Sequence, residues 1–300
     1  MCCISAAPGP TPGRTGSSAS ERYALKDHYA VIGNPVAHSK SPDIHAMFAR
    51  QTGQDIVYDR LLAPLDAFET TAKKFFREGG KGLNVTVPFK REAWKMVSPS
   101  DVSFGGVVDA EAVNTIKLVN GRLVGHNTDG IGLVTDLEQN LGFLIAGKRV
   151  LLMGAGGATQ GVMHPVLEKR PDLLVVANRT LNKAFSLVRR FQKFEHFTQH
   201  GISAQPYAGL ADSQFDLVIN ATSAGLSGEM PPLPEGIFEQ GALAYDMVYG
   251  RDTPFMVFAR KQGARAVDGL GMLVEQAAES FFIWRGVRPL TAPVIKKLRG

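Results

Sequence analysis

Val150-Leu151-Leu152-Met153-Gly154-Ala155-Gly156-Gly157-Ala158-Thr159-Gln160-Gly161 is the stretch that decides the fold. Its first four residues form a continuous apolar run, the pattern of a strand covered on both faces. A glycine-rich turn and the start of a helix follow, which is the context a dinucleotide fingerprint requires. In that reading Gly154 permits the tight turn, and Gly156 lets the backbone approach a pyrophosphate resting at the helix N-terminus. Thr159 stands where a third small residue is usual, so the helix is expected to sit slightly further from the strand.

A glycine loop alone can be a plain turn, and the next strand sharpens it. An NAD enzyme places an acid about 20 residues on, to accept the ribose 2′-hydroxyl. Here that strand end reads Val175-Val176-Ala177-Asn178-Arg179-Thr180, without an acid. Arg179 is a planar cation suited to adenine stacking and to a 2′-phosphate, and Thr180 and Lys183 can add donors. The expected cofactor is therefore NADP rather than NAD.

Working outward, residues 1–20 are rich in Pro, Gly, Ser and Ala with almost no bulky apolar side chain. They cannot offset the entropy of ordering a backbone and are expected to form a disordered tail. Tyr29-Ala30-Val31-Ile32 reads as a strand ending at Gly33-Asn34-Pro35. Ser41 is placed as an N-cap and Pro42 as the first helical residue, with a helix to about Ala49. Further strands are expected over 56–58 and 82–87, around a helix over 65–77. Asn120-Gly121 suits the positive-φ pair of a type I′ turn, so 112–119 and 122–126 should form one antiparallel hairpin. A helix over 131–140 then leads to the strand of the glycine loop.

Strands over 173–177, 217–220 and 242–247 follow, with helices between them. Ala184, Val188, Phe191 and Phe194 recur at helical spacing as a core-facing stripe. Leu273, Ala277, Phe281 and Trp284 mark a C-terminal helix with one apolar face, able to pack on the first domain. The fold class is α/β, with two α/β domains. The N-terminal domain, 21–128, carries a mostly parallel sheet and binds substrate. A Rossmann-type NADP domain occupies 129–271, and 272–300 packs back on the first.

Composition agrees with this architecture. A chain of 300 residues with 44% apolar content can bury two ordinary cores. The net charge of +5 is spread rather than clustered, which argues against nucleic acid and suits a small anionic ligand. Cys2 and Cys3 are the two cysteines, so the folded part holds neither a disulfide framework nor a cysteine metal site. No run approaches the ~18 apolar residues of a membrane span, and no secretory signal is recognisable. A cytoplasmic protein without membrane or nucleic-acid partners is expected, as monomer or homodimer. The seven histidines show no i, i+4 pairing with a carboxylate to suggest zinc. His38 and His45 read as loop or cap residues.

Four ordered motifs stand out: 33–42 (Gly33-Asn34-Pro35-Val36-Ala37-His38-Ser39-Lys40-Ser41-Pro42), Asn84-Val85-Thr86-Val87-Pro88-Phe89-Lys90, Ala112-Val113-Asn114-Thr115 and Asn127-Thr128-Asp129-Gly130. Together with Asn220-Ala221-Thr222-Ser223, Tyr245-Asp246-Met247-Val248-Tyr249-Gly250 and Asp268-Gly269-Leu270-Gly271-Met272, they resemble the shikimate dehydrogenases from about Tyr29 to Phe281. The resemblance implies NADPH-linked reduction of 3-dehydroshikimate to shikimate. It implies that Ser39 and Ser41 hold the substrate carboxylate, and two hydroxyls beside a helix N-terminus are a sensible neutral anion site. Ser41 could instead spend its hydroxyl on capping.

The same resemblance assigns Asn84, Thr86, Asn114, Tyr249 and Gln276 to substrate hydroxyls or carboxylate. To the cofactor it assigns Gly154, Ala155, Gly156, Gly157, Ala158, Asn178, Arg179, Thr180, Lys183 and Thr222, with Met247, Gly269 and Met272 at the nicotinamide end. Lys90 and Asp129 form the implied reacting pair. A carbonyl that receives hydride becomes an alkoxide and needs a nearby proton donor or cation, which Lys90 can be, with Asp129 orienting it. Glu111 and Gln160 depart from the family's usual glycine and basic residue. Two other readings stand beside this one: a quinate/shikimate dehydrogenase of dual specificity, and a non-catalytic NADP-responsive regulator on the same fold.

Overall fold

The computed structural model describes residues 26–97, 111–193, 201–222, 224–226 and 228–300. The expected tail at 1–20 lies outside them, as do Phe194 and Ser223.

The first sheet is built from β1 (Asp27–Gly33), β2 (Ile56–Leu62), β3 (Gly82–Val85), β4 (Thr115–Val119) and β5 (Arg122–His126), in the order β2-β1-β3-β4-β5. β1 runs parallel to β2 and β3, whereas β4 is antiparallel to both β3 and β5. Asn120 and Gly121 take φ of 49° and 79°, the positive pair that a type I′ turn demands. Helices α1 (Ser41–Thr52), α2 (Phe68–Arg77) and α3 (Lys90–Met96) link the strands.

α4 (Asp129–Thr135) leaves this sheet and continues as a π-helical turn over Asp136–Asn140. The second sheet contains β6 (Arg149–Met153), β7 (Leu173–Ala177), β8 (Gly201–Gln205), β9 (Phe215–Asn220), β10 (Phe238–Asp246) and β11 (Arg265–Asp268), interleaved with α5 (Gly157–Glu168), α6 (Leu181–Phe191) and α7 (Pro254–Lys261). Its order is β11-β10-β9-β6-β7-β8, parallel throughout. The continuous apolar run of β6 has its reason here: Val150 and Leu152 enter one core, Leu151 and Met153 the other.

α8 (Leu270–Arg285) and α9 (Ala292–Arg299) close the chain. The apolar stripe of α8 returns to the first domain, where Val274, Ala277, Ala278 and Phe281 pack on Ile44 and Phe48 of α1. Trp284 lies against Tyr29 and Tyr58, and its indole N–H donates to the Ile116 carbonyl at 3.1 Å. α4 approaches α8 closely. A Cβ on Gly132 would lie 2.7 Å from the Gln276 backbone nitrogen, and one on Gly271 would collide with the Asp136 carboxylate. Among the described residues, no helix is long and apolar enough to cross a membrane.

Several boundaries differ from the sequence expectation. α1 begins at Ser41 itself, and the Ser39 oxygen accepts from the Ser41 N–H at 3.2 Å, so Ser41 is not the cap. α4 starts at Asp129 rather than 131, and β3 stops at Val85. β8 and β11 carried no sequence signal. Both are short outer strands, Gly-Ile-Ser-Ala-Gln and Arg-Ala-Val-Asp, whose pairing comes from the neighbouring strand rather than from an apolar run.

Candidate active site

Two cavities of about 580 and 430 Å³ adjoin in the cleft between the sheets and share Val87, Ala158, Ala221 and Thr222 on their walls. The larger is lined by the β6–α5 loop and the end of β7. The smaller takes its walls from the Ser39 loop, β3, α4, the loop after β10, and α8.

At the base of the smaller cavity, Lys90 Nζ donates to Asp129 Oδ2 at 2.5 Å. Asp129 is nearly buried while Lys90 keeps 21% of its side-chain surface, so the amine is held from behind and open to the cleft. Lys90 enters from the first turn of α3 and Asp129 from the first residue of α4. Asp129 Oδ1 accepts from Asn114 Nδ2 at 2.8 Å, and the Asp129 N–H donates to Asn127 Oδ1 at 3.0 Å. Asn114 Oδ1 accepts from the Thr128 N–H at 2.8 Å, so one amide locks the entry into α4. Gln276 Nε2 donates to the Leu273 carbonyl at 2.8 Å, leaving Oε1 facing Asn114 and Thr128 at 3.4 Å.

On the opposite wall, the Ser39 hydroxyl donates to Ser41 Oγ at 3.1 Å. Tyr249 lines the cavity beside them, and burial raises its phenol above the usual range, partly offset by a bond to the Lys40 backbone. Asn84 and Thr86 come from β3 and the turn that follows it. Met247, Gly269 and Met272 line the same cavity. A Cβ on Gly269 would lie 2.5 Å from the Met247 carbonyl oxygen, so this approach requires glycine.

In the larger cavity, Gly154 has φ of 102°, a conformation that favours glycine, and a Cβ there would lie 3.1 Å from the Thr222 methyl. Nothing would meet a Cβ on Gly156 or Gly157, which leaves the N-terminal backbone of the 12-residue α5 open to a ligand. The Thr159 hydroxyl is buried and donates to the Gly154 carbonyl at 2.9 Å, bracing the loop from inside. Asn220 Oδ1 accepts from both the Thr222 N–H and its hydroxyl, holding Thr222 at the cavity junction. Arg179 and Lys183 are exposed and form no ion pair among the described residues, so their charge is free for a ligand. These groups fit a dinucleotide carrying an extra phosphate: amides for the pyrophosphate, cations for the 2′-phosphate.

The chain also matches known families. Residues 31–116 match the shikimate dehydrogenase substrate binding domain, 137–227 the shikimate/quinate 5-dehydrogenase model, and 269–299 the shikimate 5′-dehydrogenase C-terminal domain. A shikimate dehydrogenase (NADP(+)) from Janthinobacterium sp. (strain Marseille) is 57% identical over 274 residues, 91% of this chain and 97% of that protein. The chain belongs to the shikimate dehydrogenase family. An Ael1 enzyme from Pseudomonas putida shares the fold at a TM-score of 0.82 and 45% identity, over 91% of this chain and 98% of that one. The shikimate 5-dehydrogenase of Thermus thermophilus, solved with NADP(H) and shikimate, gives a TM-score of 0.79 at 31% identity, over 91% and 98% of the two chains.

In this shikimate dehydrogenase homologue, the ten residues assigned to the cofactor from Gly154 to Thr222 all line the larger cavity. Lys90, Asp129, the seven substrate candidates, Met247, Gly269 and Met272 all line the smaller one. Sequence reasoning missed Tyr207, Met230, Pro231 and Pro232 of the larger cavity, which come from a short 3-10 helix and a loop without motif character. It also missed Thr128, Tyr58 and Ser280, which act through hydrogen bonds that no spacing reveals.

Two histidine readings are corrected. His164 does pair with Glu168 at i, i+4, 3.3 Å apart on α5, although no group of three or more potential metal ligands converges among the described residues. His45 is neither loop nor cap: it is fully buried in α1, stacked on Tyr58. Burial pushes its imidazole down to about 3, with Asn84 offsetting only part of the effect. Its ring nitrogens have no partner of hydrogen-bonding geometry among the described residues.

Proposed function

We propose that the protein catalyses the reversible NADP-linked interconversion of 3-dehydroshikimate and shikimate in the route to the aromatic amino acids. The observation that carries this is the Lys90–Asp129 pair, its amine partly open to a cavity that adjoins the glycine-loop cavity. Ser39 and Ser41 take the ligand carboxylate with two hydroxyls, while Asn84, Thr86, Asn114, Tyr249 and Gln276 bind the ring hydroxyls and the carboxylate. The open amides of α5 take the pyrophosphate, and Arg179, Thr180 and Lys183 take the 2′-phosphate.

When bound, NADPH supplies a hydride to the substrate carbonyl carbon. The negative charge that grows on the carbonyl oxygen is met by Lys90, whose ammonium donates or relays the proton. Asp129 holds that ammonium and an adjacent ring hydroxyl, and is itself fixed by Asn114 and Asn127. A water-poor cleft strengthens each of these interactions. The confinement of cysteine to positions 2 and 3 supports a reducing, cytoplasmic setting for the enzyme.

The test follows NADPH absorbance with 3-dehydroshikimate, then the reverse reaction with shikimate and quinate, each with NADP and NAD. Turnover of shikimate with NADP is expected to dominate. A tenfold preference for NAD would overturn the cofactor reading, a preference for quinate the substrate reading, and no turnover at all the assignment as an enzyme.

A further inference from the structure

Strand β2 lines neither cavity, yet two of its side chains reach the anion-binding loop from behind. Tyr58 and Arg60 lie two apart and so share one face of the strand. Arg60 Nε and Nη2 donate to the Ser39 carbonyl at 3.0 and 2.5 Å. The Tyr58 hydroxyl donates to Asn84 Oδ1 at 2.7 Å, and the Ser41 side chain lies close enough to offset part of the rise in its pKa. Behind the phenol ring stands His45, its centroid 4.1 Å away and its plane tilted by only 7°.

Asn84 has little left to offer a ligand. Its Nδ2 faces Ser280 Oγ at 2.9 Å, Thr115 Oγ1 at 3.0 Å and the Asn114 carbonyl at 3.3 Å, which occupies both N–H donors. Oδ1 keeps one lone pair after Tyr58 has used the other. What reaches the cavity is therefore an acceptor, suited to a ligand hydroxyl and unsuited to a carboxylate. Burial raises the Tyr58 phenol well above its ordinary range, so it remains a protonated donor at any working pH.

We propose that Tyr58 is a positioning residue for the substrate: its phenol, backed by His45, sets the Asn84 amide with the oxygen toward the cleft. This rests on the shikimate reading above, and it adds a layer behind the residues that touch the ligand. The alternative role for Tyr58 is filler in the apolar cluster with Tyr29, Trp284 and Val36. The two roles separate cleanly, because packing needs the ring and positioning needs the hydroxyl.

Tyr58→Phe keeps the ring and its stack on His45. Shikimate Kd by calorimetry on the free enzyme, and shikimate KM, are expected to rise about 10-fold, as for a ligand contact that loses its buried partner. The NADP Kd and kcat should change by no more than about three-fold. Tyr58→Leu, which also removes the ring, should add a loss of thermal stability to the same binding defect. A Tyr58→Phe enzyme with wild-type shikimate Kd and KM overturns the proposal and leaves the function standing. Parallel weakening of NADP binding also overturns it, since the hydroxyl would then serve the whole cleft. A wild-type protein that fails to bind shikimate overturns both.

Discussion

The two cavities share a wall and are made of different material. The smaller is walled by buried polar side chains, Asn84, Asn114 and Asp129 among them, whose hydrogen bonds are mostly to one another. The larger offers glycine-loop backbone and exposed cations beside apolar side chains such as Tyr207 and Met230. A ring of hydroxyls is recognised by donors and acceptors of fixed direction, and direction is expensive to hold, so those groups sit in a satisfied network. A pyrophosphate carries diffuse charge, which a helix N-terminus meets without any side chain. The difference predicts that removing a networked side chain of the smaller cavity costs rate or stability as well as affinity, whereas removing an exposed cation of the larger costs affinity alone.

The largest break in that comparison comes from Lys90→Ala. The kcat should fall by about 10²–10⁴-fold, as for a positioned acid-base group, with NADPH affinity nearly unchanged. Steady-state rates alongside NADPH fluorescence titration check both halves; a few-fold loss of kcat would remove Lys90 from the chemistry.

Arg179→Ala tests the other cavity. NADPH Kd should rise by about 10–100-fold through loss of a charge-assisted bond, with NADH binding and Tm almost unaffected. Equal weakening toward both cofactors would mean that Arg179 serves adenine rather than the extra phosphate.

His45 sharpens the stability half. Its pKa falls from 6.5 in the open chain to about 3 in the fold, so the native state holds it neutral. The unfolded state binds the extra proton, and stability is lost as pH drops below 6.5, progressively down to about 3. By pH 5.5 this amounts to about 1 kcal/mol. Urea unfolding at pH 7.5 and 5.5 should show that loss in the wild type, and less of it in His45→Leu. His126, lowered to about 4 by burial and by Lys117, acts in the same direction in both proteins and cancels from the difference.

The smallest effect belongs to a site far from both cavities. Gly121→Ala meets open space but must keep φ of 79°, so a loss of about 1 kcal/mol is expected by urea unfolding, with kinetics unchanged.

Much of the fold was legible because its signals are local. The alternation of strands and helices, the Asn120-Gly121 turn and the apolar stripe of the last long helix each follow from backbone preference or period. β8 and β11 were not legible, since outer strands need only a partner. The candidate site was legible at the level of motifs: Arg179 stands at the end of β7, where an acid would otherwise be, and its meaning depends on spacing alone. Tyr58 and Ser280 were invisible, because their importance lies in hydrogen bonds across 26 and 196 residues of chain.

Amino-acid order by itself determined the α/β architecture, the glycine loop and the residue types at the cleft, because periodicity, turn chemistry and helix-end electrostatics act over a few neighbours. Only tertiary structure decided that Lys90 and Asp129, 39 residues apart, meet at 2.5 Å, and that a buried tyrosine stands behind Asn84. Those contacts are set by how two sheets and a returning helix pack, and packing is a property of the whole chain.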